Sequence, residues 1–331
     1  MPRILRRLTI AQWRKINQDY ASTQDHITIT WKIGVVFFLF TCVLIAFQYF
    51  GKSPTFQLLF GNTFQTWPHP NLYPHLYWAL FRVIGYFFLP AIVLKCLFKE
   101  HLRDYGFRID RNPKVFLLYV AMFLVVTPFV YLVSGNPGFL RTYPFYPQAA
   151  NSWTELLVWE SAYALQFLSL EFFFRGFVLF SFARQIGAYA ILVMSVPYTM
   201  IHFQKPLPET LGAIIAGVAL GTLALRTRSI FGGVVIHVAV AWSMDLLALW
   251  HKGLLQKLLF IRTQIHFLLH FNESNQSMFK KAFPSQDISG NVSRGKSDLS
   301  LKSPQHFSFL FKRDNFHLNI VEIAFNRAYC A

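Results

Sequence analysis

The sequence predicts an all-α protein, a polytopic bundle of about seven membrane-spanning helices. Three observations carry that prediction. Of 331 residues, 54% are hydrophobic and only 14% are charged, with Phe alone occurring 37 times; a soluble fold of this size needs a charged shell that this composition cannot supply. Apolar runs near the roughly 20 residues that a span requires recur between positions 31 and 249. The net charge of +16 sits in short segments between those runs, which is the pattern of positive-inside topology or anionic-lipid contact and not of a nucleic-acid-binding face.

The first 30 residues form a basic segment holding Arg3, Arg6, Arg7, Arg14 and Lys15. It is too long for the leading region of a cleaved signal, and the apolar run that follows is read as a retained span. That first span is expected from about Trp31 to Phe50, followed by a Pro- and aromatic-rich interfacial loop with Trp67, Pro68, Pro70 and Pro74. The second runs from about Leu76 to Phe98. The loop after it carries Lys99, Arg103, Arg108, Arg111 and Lys114 and is placed in the cytoplasm, with the N-terminus on the same side.

Val115–Val133 makes a third span, followed by a Gly-, Pro- and Tyr-containing outer loop. Residues 31–152 are thus read as anchoring helices and loops. The membrane core, residues 153–250, holds four more spans: within Leu156–Ala183, within Ile186–Phe203, about Glu209–Leu225 and about Ile230–Leu249. Small residues at four-residue spacing, Ala213, Gly217 and Gly221, let the sixth span approach a neighbour closely. Residues 251–331 turn polar and are read as an interfacial or disordered tail; an eighth span over Leu254–Phe271 is disfavoured by Lys257, Arg262, His266 and His270. Cys42, Cys96 and Cys330 show neither disulfide-framework nor zinc-ligand spacing.

Ionisable side chains at membrane depth are costly and mark candidate sites. The four core spans hold Glu171 and Arg175, His202, Glu209, and His237 with Asp245. At about 1.5 Å rise per residue, Arg175 and His237 lie roughly 12 Å from the basic end, Glu171 roughly 18 Å, and His202, Glu209 and Asp245 roughly 22 to 24 Å. The six are therefore expected in one continuous polar layer. Glu171 and Arg175, four apart, share a helix face and can pair, and the alternative to a functional role is a self-neutralising pair that keeps the helix inserted. His237 and Asp245, eight apart, also share a face. Glu209 and Asp245 sit near the outer boundary, where solvation alone would account for them.

The run Leu170-Glu171-Phe172-Phe173-Phe174-Arg175-Gly176 resembles the first motif, EExxxRG, of the CPBP family of intramembrane glutamic endopeptidases, which includes the type II CAAX prenyl endopeptidases and the Abi-type proteins. Tyr198 through His202 looks like the second motif, an aromatic followed four residues later by His. Arg226 through Ile230 leading to His237 looks like the third. The resemblance spans roughly Trp153–Leu249. It departs at Leu170, where the family has its leading glutamate, and at Ala241, where family members place Asn or Asp.

What the resemblance implies is a metal-independent, cofactor-free membrane endopeptidase. Glu171 and His202 would activate water, and His237 would help hold the oxyanion. Arg175, Glu209 and Asp245 would support them, with Glu209 the alternative carboxylate if Arg175 holds Glu171 too firmly. The implied partners are membrane lipids and a peptide or lipidated protein, with no nucleic acid. The implied setting is a bacterial cytoplasmic membrane. Leu170 favours the runner-up reading, a catalytically inactive relative acting as a membrane binding or immunity protein. Two histidines and two acids also leave open an intramembrane metallopeptidase or a transporter.

Overall fold

The computed structural model describes residues 10–21 and 30–258. Among them there is no strand, and six helices are long and apolar enough to cross a membrane. In chain order the helices are α1 (Ile10–Ala21), α2 (Trp31–Tyr49), α3 (Ser53–Phe64), α4 (Tyr73–Phe98), α5 (Pro113–Ser134), the short α6 (Pro137–Thr142), α7 (Trp153–Ile186), α8 (Tyr189–Met200), α9 (Leu207–Thr227) and α10 (Phe231–His251). The chain is a polytopic helical membrane protein.

Sequence boundaries and caps explain where the spans begin. Asn112 accepts from the Lys114 amide at 3.0 Å with Pro113 in the first turn of α5, and Ser152 accepts from the Glu155 amide at 3.1 Å to start α7. α7 is the axis of the bundle: 83% of its spanning window is buried, against 6% for α5, whose apolar surface is left for lipid. α4 and α10 pack on α7, α5 packs on α10, and α8 lies along α9. That last contact uses the small residues. A Cβ on Gly217 would sit 2.7 Å from Ser195 Oγ, and one on Gly221 would meet Met194 and Ile191 at 3.1 and 3.3 Å.

Three features differ from the sequence expectation. The fifth apolar run gives only the twelve residues of α8, with Pro197 in its last turn. That is about 18 Å of helix against a hydrocarbon core of about 30 Å, so α8 alone is too short to cross it, and turns at residues 201–206 lead into α9. The loop after α2 contains the helix α3, which Pro54 initiates. The basic N-terminal segment contains α1, whose stripe Trp13, Ile16, Asn17 and Tyr20 docks on the basic end of the core. There Trp13 Nε1 donates to Thr222 Oγ1 (3.1 Å), Asn17 Oδ1 accepts from the Ala188 amide (2.7 Å), Tyr20 Oη donates to the Leu225 carbonyl (3.2 Å), and Ile16 is fully buried.

That end gathers the basic connections. Glu100 accepts hydrogen bonds from Lys32, from Arg184 at 2.7 Å and from Tyr105 at 2.6 Å, tying α2, α4 and α7 together. Burial pushes the Glu100 carboxyl up, but the hydrogen bonds from Lys32, Tyr105 and Arg184 outweigh it and bring it down to about 2. Ile230 N donates to the Gly106 carbonyl at 3.0 Å and Ser229 Oγ to the Arg108 carbonyl at 2.5 Å, seating the start of α10 on the same loop. Of the eighth span weighed over Leu254–Phe271, residues 254–258 are helical and the rest lies outside the described residues, as does the tail beyond it.

Candidate active site

Three helices bring the inner polar groups together. On α7 the backbone widens into a π-helical stretch over Phe172–Val178, directly after Glu171 and including Arg175, a distortion frequent at functional sites. Arg175 Nη1 donates to Glu171 Oε1 at 2.6 Å, and both side chains are essentially inaccessible. From α10, His237 Nδ1 meets the same Oε1 at 2.6 Å. The Phe167 ring, one turn before Glu171, stacks on the His237 imidazole with centroids 4.6 Å apart.

The third helix is α8, and its contribution is Tyr198. The Tyr198 hydroxyl lies 3.2 Å from His237 Nε2, its ring rests on the Arg175 guanidinium at 4.1 Å, and its carbonyl accepts from His202 Nδ1 at 2.8 Å. His202 itself sits in the turn after α8. Its carbonyl is held by the Lys205 amide at 2.9 Å and by Thr210 Oγ1 at 2.7 Å. The short helix and the turn after it thus set this imidazole inside the bundle, where it is buried.

Two sharp fits hold the acid in place. A Cβ on Gly233 of α10 would fall 2.5 Å from Glu171 Oε2, so only glycine there admits the carboxylate. Arg175 and His237 both bind Oε1. Oε2, together with Arg175 Nε and Nη2, is buried without a hydrogen bond among the described residues. Removing either partner of such a buried pair leaves an uncompensated charge, a cost of about 3–5 kcal/mol.

The expected single layer of six groups divides in two. Glu171, Arg175 and His237 are in direct contact, and Tyr198 joins His202 to them. Glu209 belongs to a second group: its two oxygens accept from Lys205 Nζ and Tyr143 Oη, each at 2.6 Å. Asp245 is fully buried and accepts from the Phe145 amide at 2.9 Å and Trp159 Nε1 at 3.1 Å, with the Glu160 carboxyl lying against it. Asp245 fastens the 143–146 loop and α7 to α10, and Glu209 ties Tyr143 of that loop to α9. Among the described residues no group of three or more His, Cys, Asp or Glu side chains converges as metal ligands would.

Sequence reasoning passed over several members. Tyr198 was visible only as the aromatic of a motif, and its hydroxyl was the signal that a phenylalanine there would lack. Glu160 lies eleven residues, three turns, before Glu171 on the same face of α7, and its charge at span depth was the available sign. In the second span, read as a plain anchor, Arg82 lies over the Trp78 ring at 3.9 Å and the Phe47 ring at 5.3 Å.

Compared with known proteins, the chain matches no curated protein and no solved structure. One family model does match, over residues 152–243, and every residue of the inner group and Glu209 fall within that segment, with Asp245 two positions past its end. This membrane core matches the family of the type II CAAX prenyl endopeptidases, Rce1-like.

Proposed function

We propose that the chain is a membrane-embedded endopeptidase of the CAAX-protease type, which cleaves a peptide bond of a lipidated or membrane-associated protein or peptide by metal-independent activation of water. The observation that carries the reading is the convergence of Glu171, Tyr198 and His202, all buried, with the partly buried His237 in the matched segment, linked through contacts of 2.6–3.2 Å. Glu171 is clamped at Oε1 by Arg175 and His237, so it acts as the orienter of His237. The general base is then His202. Its Nδ1 is spent on a backbone carbonyl, which leaves Nε2 as the lone pair that takes a proton from water.

The absent carboxyl at position 170 favours a second reading. Leu170 and Ala241 are both buried and apolar, which suits a binding protein that keeps the family's fold without its chemistry. One experiment separates the two. Purified protein in detergent is incubated with a panel of membrane peptides, with and without a chelator, beside His202→Ala. Cleavage that survives the chelator and is lost in His202→Ala is expected. No cleavage by the wild type on any peptide would favour the binding protein, and loss of activity to the chelator with recovery on zinc would refute the metal-independent mechanism.

A further inference from the structure

Tyr198 adjoins both histidines, its ring centroid 4.9 Å from that of His202 and 6.2 Å from that of His237. The hydrogen-bond order of the site gives its hydroxyl a direction. The Tyr198 carbonyl can only accept, so its contact with His202 Nδ1 places a hydrogen there and leaves Nε2 of the neutral ring as a lone pair. The Glu171 carboxylate imposes the same tautomer on His237 through Nδ1. A neutral His237 therefore has no Nε2 hydrogen to give, and it accepts one from the Tyr198 hydroxyl.

Both neutral imidazoles thus carry an acceptor, not a donor, at Nε2. Peptide hydrolysis also needs the opposite, a donor aimed at the oxygen on which negative charge develops. One turn beyond His237, Ala241 is buried and apolar and cannot donate. The Arg175 guanidinium is fully buried, is engaged by the Glu171 carboxylate and lies 4.1 Å from the Tyr198 ring, within reach of its hydroxyl.

We propose that the Tyr198 hydroxyl is a catalytic donor of this site, polarising the scissile carbonyl and holding the oxyanion of the tetrahedral intermediate. The proposal rests on the peptidase reading above. Water attacks the carbonyl carbon while its proton passes to His202 Nε2, and the C=O electron pair moves onto oxygen. The Tyr198 hydroxyl swings away from His237 Nε2 by rotation about its single C–O bond and donates to that oxygen. Collapse restores C=O, breaks the C–N bond and returns the proton from His202 to the leaving nitrogen. Tyr198 is not the nucleophile, because an aryl ester lies well uphill of the amide from which it would form. The positive charge that Arg175 holds against the ring strengthens the hydroxyl as a donor.

The test is Tyr198→Phe, which deletes the oxygen and keeps the ring on which Arg175 rests, beside a protein carrying 3-fluorotyrosine at position 198, which keeps the hydroxyl. On a peptide that the wild type cleaves, Tyr198→Phe is expected to lower kcat by about 10²- to 10³-fold with little change in KM. The fluorinated protein is expected to stay within about threefold of wild type. Wild-type kcat in Tyr198→Phe would overturn the donor and leave the peptidase reading standing. An equal loss in the fluorinated protein would trace the effect to packing and overturn the donor as well. A wild type that cleaves no peptide would overturn both together.

Discussion

The substitution Gly233→Ala tests whether Glu171 is held as rigidly as its contacts imply. The added methyl would lie 2.5 Å from Oε2 and 3.2 Å from the carboxyl carbon, where ordinary contact begins near 3.4 Å. The carboxylate must retreat by most of an ångström. It is buried and its other oxygen is bound by Arg175 and His237 at 2.6 Å each, so a retreat of that size stretches both bonds. Charge-assisted bonds of this kind are worth about 1.5–3 kcal/mol, and overpacking a tight site costs about 1–3 kcal/mol. The intrinsic helix preference of Ala over Gly returns up to about 1 kcal/mol. A net loss of about 2 kcal/mol is expected, a fall of roughly 3 °C in Tm for a chain of this size, with activity down by about 10²-fold from misplacement of His237. Thermal unfolding in detergent reads the first and peptide cleavage the second. Gly212→Ala is the control, because a Cβ there meets nothing within 4 Å, and its Tm should hold or rise slightly. If Gly233→Ala melts and cleaves like Gly212→Ala, the claim that Glu171 is locked against α10 is wrong.

Other substitutions reach separate parts of the account. Arg175→Met should destabilise by about 3–5 kcal/mol by stranding the buried Glu171 charge, as measured by thermal unfolding. Asp245→Asn should cost about 1–3 kcal/mol, since Phe145 N and Trp159 Nε1 lose a charged acceptor, while kcat on a cleaved peptide stays near wild type. At the basic end, Glu100 carries a carboxyl depressed to about 2 from an ordinary 4.5. Its contribution is complete above about pH 4.5 and is lost as pH falls toward 2. The pH dependence of Tm over that window should flatten in Glu100→Gln.

The spans were legible because hydropathy reports preference for lipid, and α2, α4, α5, α9 and α10 satisfy that preference along most of their length. The same index cannot tell a half-length helix from a full one, so the run through Phe203 was drawn longer than α8. Pro197 and the Lys205-Pro206 turn were the visible signs of its end. α1 was missed although Trp13, Ile16, Asn17 and Tyr20 form one face, since its polar composition hides a stripe of only four residues. The inner site was legible as residue types and spacing. Its division from Glu209 and Asp245 was not, because a uniform rise of about 1.5 Å from a common plane ignores the π-helical stretch of α7 and the early turn after α8. Nor could spacing show that Arg175 and His237 would choose one oxygen of Glu171, or that Gly233 would make room for the other.

The most direct measurement of the central claim is cleavage of a membrane peptide in ¹⁸O-enriched water with a chelator present, followed by mass spectrometry of the new carboxyl terminus. The account predicts ¹⁸O in that carboxylate from the wild-type protein, about 10²-fold or more less product from His202→Ala, and a comparable loss from Glu171→Gln. Equal product from the wild type and both variants, or none from any of them, would contradict it.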